Sequence, residues 1–321
     1  MDMQKRNSQI LAVIFAILIA VLLASAAYWW HISRREPAAS APPSPTTTGA
    51  ISAMNGKAIL ATFSPDGEDR SDANDREVEY KLFSVQSPTL TEEQLGSVRS
   101  NIFANTFQYM DGKIYFVNGD GELAAYDLAT KKNERFALPN IKPVFGFLDE
   151  HSVYDFSFLD ATKLVYLQGG CMDGAACHLK MYNFTTKKTT SIVDHLEKKL
   201  GINGETTIKI QTVRDNGEGG DIRLIRTRNT ADAGFADLIS VSLDTHVDKV
   251  LETVDFTTDK KNSKADALFT KTFACGGVSG MQELADIPNT GDAEVQTTVN
   301  TSQGAVKKYH PTYFVGCVKP E

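Results

Sequence analysis

Apolar and polar residues alternate most regularly between Asp111 and Leu138. Short runs of near-alternating apolar residues in this stretch are typical of strands that bury one or both faces. The tetrapeptide at 118–121 (Asn-Gly-Asp-Gly) separates the first two runs and tolerates the positive φ angles of a tight hairpin. A second turn at 129–132 (Ala-Thr-Lys-Lys) leads into the third run. The stretch therefore predicts three strands of an up-and-down meander.

The end of this meander recurs along the chain as a faint repeat. Aligned on the turn after the third strand, the copies are centred on Phe83, Tyr126, Tyr182, Val241 and Thr298, which are 43, 56, 59 and 57 residues apart. Periods of roughly 40–50 residues with about four strands each are the signature of propeller blades. We therefore predict an all-β domain, a β-propeller of about five blades built from four-stranded antiparallel meanders. A pair of β-sandwiches is the alternative architecture.

Two of the copies also resemble a known class of protein. KIYFVNGDGELAAYDLATKK (113–132) and KLVYLQGGCMDGAACHLKMYNFTTKK (163–188) are similar to blades of bacterial β-propeller repeat proteins, whose strands end in a Y-D-L-x-T-x-K type of hairpin. The resemblance is strong over 111–192 and extends more faintly over 57–318. It implies an architecture and is nearly silent on function. The later copies are longer, and we interpret the excess as inserted loops such as 214–220 and 276–289.

The first fifty residues predict a membrane anchor followed by a stalk. Ile10 to Tyr28 is almost wholly apolar, and its nineteen residues would span roughly 28 Å as a helix, about the thickness of a bilayer core. We therefore divide the chain into a short cytoplasmic tail (1–8), a transmembrane signal-anchor (9–30), a Pro/Thr-rich stalk (31–50) and an extracytoplasmic propeller-like domain (51–321). The alternative is a secreted protein whose signal peptide is cleaved near Ala26.

The four cysteines bear on the compartment. Cys171 and Cys177 bracket a short loop between two predicted antiparallel strands, so a bridge between them is geometrically easy. Cys275 and Cys317 each end an apolar run, and we interpret these runs as neighbouring strands of the last blade. Two disulfides would imply an oxidising compartment, with the N-terminus in the cytoplasm and the domain outside. Free buried thiols and a single zinc site are the alternatives, although no C-x2-C knuckle supports zinc.

Charge and motifs narrow the function classes. The formal net charge is −7, and because residues 1–50 carry +2, the rest carries −9. Such a domain repels phosphate backbones, so we expect no nucleic-acid partner. No G-x-S-x-G elbow, P-loop or H-E-x-x-H motif occurs, so the sequence predicts no catalytic residue. Calcium is the one cofactor with candidate ligands, which lie in two acidic loops: Asp66, Asp69, Asp72 and Asp75, and Asp215 and Asp221. Neither loop has the spacing of a known calcium motif, so the sequence favours solvated loops over calcium sites.

The sequence therefore favours a membrane-tethered, extracytoplasmic propeller that binds another envelope or surface protein as a scaffold, without catalysis. The competing hypothesis is a carbohydrate-active, glycosidase-like five-bladed propeller. That chemistry needs two carboxylates about 5–10 Å apart that face the central channel. Asp155, which lies between Tyr154 and Phe156, is the one residue that suggests a sugar subsite. Carboxylates of the inner strands that converge on the axis would favour the enzyme.

Overall fold

The structure, a computed structural model, describes most of the chain from residue 56 to residue 318. The described residues are 56–63, 77–101, 104, 106–142, 150–171, 175–200, 206–214, 220–229, 234–243, 248–255, 268–286 and 293–318. All of them belong to one compact unit, Ala41–Glu321. The predicted tail, anchor, stalk and cleavage site near Ala26 lie outside the described residues. Within those residues, no helix has the length and apolar character needed to cross a bilayer.

Twenty strands in the described ranges form five four-stranded antiparallel sheets, each of which is a propeller blade. Blade 1 holds β1 (Lys57–Phe63), β2 (Glu77–Gln86) and β3 (Thr91–Asn101), and blade 2 holds β4 (Phe107–Met110), β5 (Lys113–Val117), β6 (Leu123–Asp127) and β7 (Lys132–Phe136). Blade 3 holds β8 (Val153–Asp160), β9 (Lys163–Gly169), β10 (Cys177–Asn183) and β11 (Lys188–Val193), and the one-turn helix α1 (Leu196–Lys199) follows it. Blade 4 holds β12 (Thr206–Arg214), β13 (Asp221–Asn229), β14 (Gly234–Ser242) and β15 (Asp248–Asp255). Blade 5 holds β16 (Lys271–Cys275), β17 (Val278–Asp286), β18 (Ala293–Thr301) and β19 (Val306–Tyr309), and β20 (Thr312–Val318) then returns to blade 1.

The ring is closed by β20, which pairs with β1 to give blade 1 the order β20-β1-β2-β3. In the other blades the strands follow one another in sequence. The first strands of neighbouring blades contact each other, as β20 does with β4 and β8 with β12. These inner strands therefore surround the centre of the ring. The fourth strands β7 and β19 are largely exposed at the outer rim.

The predicted repeat is confirmed in all five blades. Phe83, Tyr126, Tyr182, Val241 and Thr298 lie in β2, β6, β10, β14 and β18, each the third strand of its blade. The periodicity predicts this because every blade places the same strand before the same outer hairpin. The sheets are not arranged as paired sandwiches.

One predicted loop is wrong. Residues 276–289 were expected to form an insertion, but most of them form β17, which pairs with β16 on one side and β18 on the other. The sequence of this strand, VSGMQELAD, lacks a clear apolar alternation, so its pairing could not be seen from the pattern. The turn before it is made by Gly276 and Gly277, both with positive φ. A Cβ at Gly276 would overlap the backbone of Gly56, so this turn requires glycine.

Hydrophobic clusters fill the seams between blades. Four clusters draw buried residues from the strands of both adjoining sheets, at the seams 1/2, 2/3, 3/4 and 5/1. The fifth, at the seam 4/5, differs because its described members come from blade 4 and from Leu268 and Phe269, which precede β16. Burial on both faces explains why strands such as β6 are buried along their whole length.

Two disulfides are present, with the pairings expected from the sequence. Cys171–Cys177 closes the loop between β9 and β10, with Cα atoms 4.7 Å apart, and Cys275–Cys317 has Cα atoms 5.3 Å apart. The expectation that the second pair joins two strands of one blade is wrong, because β16 belongs to blade 5 and β20 to blade 1. This bridge therefore crosses the seam at which the ring closes.

Candidate functional site

The carboxylate of Asp155 lies on the inner strand β8 and is only 2% exposed. Its Oδ1 accepts hydrogen bonds from the backbone N–H of Phe156 at 2.9 Å and from the hydroxyl of Thr106, just before β4. Its Oδ2 accepts the backbone N–H of Ile210 on β12 at 2.7 Å. One carboxylate thus joins blades 2, 3 and 4. These bonds give Asp155 a structural role at the centre of the ring.

The aromatic neighbours of Asp155 do not form a sugar-binding platform around it. Tyr154 packs in the core between blades 3 and 4, and Phe156 packs in the core between blades 2 and 3. Both side chains are almost completely buried. The alternation of a strand explains this arrangement, because neighbouring residues point to opposite faces of the sheet. The two aromatic residues that flank Asp155 in the sequence suggested a sugar subsite, but the blade geometry places both of them in the hydrophobic core.

A second carboxylate suited to glycoside hydrolysis is absent from the described parts of the inner strands. Apart from Asp155, they contain only Asp160, at the far end of β8. Five residues of extended strand separate the two by roughly 16 Å, beyond the spacing used by glycosidases. Asp160 instead accepts hydrogen bonds from the backbone N–H and the hydroxyl of Thr162, at 2.6 and 2.7 Å.

A lysine also lies on the inner strands near Asp155. Lys209 lies on β12, next to the residue that donates to Asp155, and its Nζ is 6.0 Å from the centroid of the Tyr154 ring. Burial lowers the pKa of Lys209, and Lys271 lowers it further, whereas the carboxylate of Asp155 acts in the opposite direction. The centre of the ring thus places a cation near its carboxylate, an arrangement that differs from the two-carboxylate site of a glycosidase.

A cleft of about 430 Å³ lies between blades 1 and 2. Its floor includes Val98 and Phe116, which belong to the hydrophobic core of that seam. Charged side chains line its walls, with four carboxylates against two guanidinium groups: Glu77, Glu79, Asp120 and Glu134, and Arg99 and Arg135. Glu134 is also paired with Lys113 Nζ at 2.5 Å, so the cleft combines a concave shape with a smaller excess of negative charge.

The two arginines of the cleft form ion pairs with carboxylates of blades 1 and 2. Arg135 Nη1 lies 3.3 Å from Asp120 Oδ2 and 3.1 Å from Glu122 Oε2. Arg99 Nη1 lies 3.7 Å from Glu77 Oε2, a looser pair. Both guanidinium groups are mostly exposed, so these pairs contribute little to stability and exchange readily with other cations.

The sequence analysis missed this cleft. The charged residues lie on β2, β3, β7 and the β5–β6 turn, at positions that a strand pattern predicts to be solvated. The alternation Glu77-x-Glu79 shows that two acids share one face of β2, and this was the available signal. Only the packing of blade 1 against blade 2 brings that face opposite the β5–β6 turn, where Gly119 N–H donates to Glu77 Oε1 at 3.3 Å.

The calcium candidates stay a prediction. Five of the six predicted residues lie outside the described residues: Asp66, Asp69, Asp72, Asp75 and Asp215. Asp221, at the start of β13, is engaged by Arg223 Nε at 3.4 Å and by the hydroxyl of Ser240. Within the described ranges, no group of three or more His, Cys, Asp or Glu residues is placed to hold a metal ion.

Comparisons with known proteins identify no family for this chain. No protein-family model and no curated protein matches the sequence. Among solved structures, the chain is similar to an endo-arabinase from Bacteroides thetaiotaomicron (10% identity, 80% of this chain and 97% of that chain, TM-score 0.38) and to a putative 6-phosphogluconolactonase from Bacteroides uniformis (11%, 81% and 96%, 0.37). It also matches the tricorn protease (14%, 77%, TM-score 0.30), of which it spans only 23%. Similarity at these scores carries no inference about activity, and the fold rests on the strand pairing described above.

Proposed function

We propose that this protein is a binding scaffold without catalysis, in which the cleft between blades 1 and 2 receives a positively charged segment of another envelope or surface protein. The cleft is the observation that carries the proposal. It is concave, it has an apolar floor, and its four carboxylates outnumber its two arginines. A lysine or arginine of a partner would meet carboxylates of which two, Asp120 and Glu77, already hold guanidinium groups at 3.3 and 3.7 Å within the molecule.

The location proposed for the scaffold is the outer side of a membrane, with the N-terminal segment as tether. Two features support it. Ile10 to Tyr28 has the length and the apolar composition of a membrane span. Both cysteine pairs are disulfide-bonded, and such bonds persist mainly in oxidising compartments. The stalk at 31–50 would then hold the propeller away from the bilayer.

The alternative function, a carbohydrate-active enzyme, has less support. It needs a second carboxylate within about 10 Å of the first. Asp155 has its oxygens occupied by three hydrogen bonds from three blades, and Asp160 is too distant. A glycosidase would therefore need acids from outside the described inner strands.

The test is partner capture with the full-length protein. Cells that express it are cross-linked, the protein is purified in detergent, and co-purifying proteins are identified, with a fragment from Ile51 to Glu321 as the untethered control. A stoichiometric partner with a basic segment is expected. Repeated preparations without any partner would contradict the scaffold proposal.

A pair of charge reversals then tests the cleft itself. Glu79→Lys changes the charge of an exposed cleft residue, and Glu252→Lys makes the same change on the exposed strand β15 of blade 4. A carboxylate and a cation about 6 Å apart in a solvated interface interact by roughly 0.7 kcal/mol, and a charge reversal changes this interaction twice over, so we expect Glu79→Lys to weaken binding about tenfold. Glu252→Lys should bind as the unaltered protein does. If both variants bind the partner equally well, the interface lies outside the cleft.

A further inference from the structure

Four titratable residues form a cluster at the end of blade 3, where the chain crosses to blade 4. We call it the histidine cluster: His178, Asp194, His195 and Glu197. His178 lies on β10, Asp194 and His195 follow β11, and Glu197 belongs to α1. The two imidazole rings lie with their centroids 5.0 Å apart. The cluster has no part in the cleft or in the centre of the ring.

The hydrogen bonds of the cluster require a neutral His178. The backbone N–H of His195 donates to Nδ1 of His178 at 3.3 Å, so that nitrogen must carry a lone pair and the proton must lie on Nε2. Glu197 supports the other side of the segment, because its Oε2 accepts the backbone N–H of Cys177 at 2.9 Å and its Oε1 lies 3.0 Å from Nδ1 of His195. The segment from Asp194 to Glu197 is therefore fastened to β10 at two points.

The fastened segment holds the seam between blades 3 and 4. Leu196, in α1, is fully buried in the hydrophobic cluster of that seam, and Leu200 packs there as well. The carbonyl oxygen of Leu200 accepts a hydrogen bond from the guanidinium of Arg226, on β13 of blade 4. His195 itself has left-handed backbone angles, φ 54° and ψ 54°, which a residue with a side chain adopts only when its surroundings hold it there.

The charges around His178 set the direction of its response to pH. Burial lowers the pKa of His178, and Lys180 and His195 lower it further, whereas Asp194 and Glu197 act in the opposite direction. A proton on Nδ1 would end the bond from His195 and would turn the ring into a donor towards Asp194, whose Oδ1 lies 3.5 Å away. Protonation therefore removes the bond that holds the His195 backbone to β10, and the contact that replaces it runs through the mostly exposed side chain of Asp194.

We propose that His178 is a latch that fastens the connector between blades 3 and 4 at neutral pH and releases it in mild acid. When the segment is released, His178 is an ordinary histidine, which titrates near pH 6.5. Because the pKa of His178 is lower in the closed state than in the released state, the released state binds more protons between these two pKa values. Closure is thus complete above about pH 6.5 and is lost as the pH falls through the lower value. Titration of the two acids can be distinguished from titration of His178. The pKa values of Asp194 and Glu197 are lowered, so these carboxylates lose their charge only below pH 4.5.

Hydrogen exchange of the full-length protein in detergent, followed by mass spectrometry between pH 7.5 and 5, tests the latch. After correction for the intrinsic exchange rate, protection of the peptide 194–200 should fall up to about tenfold per pH unit below pH 6.5. Peptides from β6 should keep their protection. Constant protection of 194–200 across this range would overturn the proposal.

Two variants and a matched control sharpen the test. His178→Gln offers an amide oxygen that accepts the His195 N–H at every pH, so the fall should disappear. His151→Gln, at the start of blade 3, should behave as the unaltered protein. Asp194→Asn removes an exposed charge that favours the imidazolium in the closed state, so the fall should begin at the same pH and become larger. This last variant retains the histidine, and a fall of unchanged size would contradict the latch even if His178→Gln failed to fold.

Discussion

Replacement of Asp155 by asparagine tests the structural role assigned to the centre of the ring. The two side chains have the same shape, but the amide has one acceptor oxygen and one NH2 donor. If the oxygen serves Phe156 and Thr106, the NH2 group faces the backbone N–H of Ile210, which is also a donor. A buried N–H then loses a charged acceptor at 2.7 Å and opposes another donor.

The expected cost follows from these bonds. A hydrogen bond to a charged group contributes about 1.5–3 kcal/mol, and an unsatisfied buried donor costs about 1–3 kcal/mol. Asp155→Asn should therefore destabilise the propeller by about 3–5 kcal/mol. For a domain of this size that corresponds to a fall in Tm of roughly 10 °C. Thermal unfolding of the full-length protein in detergent, followed by circular dichroism, measures it.

The matched control is Asp160→Asn on the same strand. Asp160 is partly exposed, and its partners are Thr162 and, at 3.7 Å, Nζ of the partly exposed Lys163, so its replacement should cost less than about 1 kcal/mol. Because Asp155 joins three blades, its variant should also raise hydrogen exchange in β4 and β12. A variant at Asp155 with an unchanged Tm would refute the structural role. If that variant also lost a glycan-hydrolysing activity, Asp155 would have a catalytic role.

The disulfides and the closing turn give further predictions. Replacing both cysteines of Cys275–Cys317 by serine should cost about 4 kcal/mol, against about 2 kcal/mol for Cys171–Cys177, because the sequence separations are 42 and 6 residues. Equal shifts in the denaturant midpoint would contradict this order. Gly276→Ala should cost more than about 2 kcal/mol because its Cβ would overlap the facing backbone, whereas Gly304→Ala, with φ 85° and open space around it, should cost about 1 kcal/mol. Melting temperatures measure both, and a larger loss at Gly304 would contradict the packing argument.

The architecture was predictable from the sequence because each blade repeats one local pattern. Tyr126 and Tyr182 stand before similar hairpins, and these copies identify the period. Even Thr298, in a strand of polar residues, lies where the spacing places it. The disulfide partners were also predictable, because Cys171 and Cys177 bracket one short loop and Cys275 and Cys317 each end an apolar run.

The sites were less predictable because they depend on contacts between blades. Nothing near Asp155 in the sequence indicates that it accepts the N–H of Ile210, 55 residues away. The cleft likewise requires β2 and the β5–β6 turn to face each other. The pairing of β16 with β17 was missed for a different reason, because a strand held by neighbours on both sides needs little apolar alternation of its own.

Closure by β20 has a consequence for the synthesis of the protein. Thr62 and Thr312 meet in blade 1 although 250 residues separate them. At about 5–20 residues per second, a ribosome needs roughly 12–50 s to reach β20 after β1. During that time β1, whose Ala58, Ile59 and Leu60 are fully buried in the finished ring, has an open edge available to other chains. Rapid overexpression is therefore expected to cause aggregation through β1, and slower synthesis should relieve it.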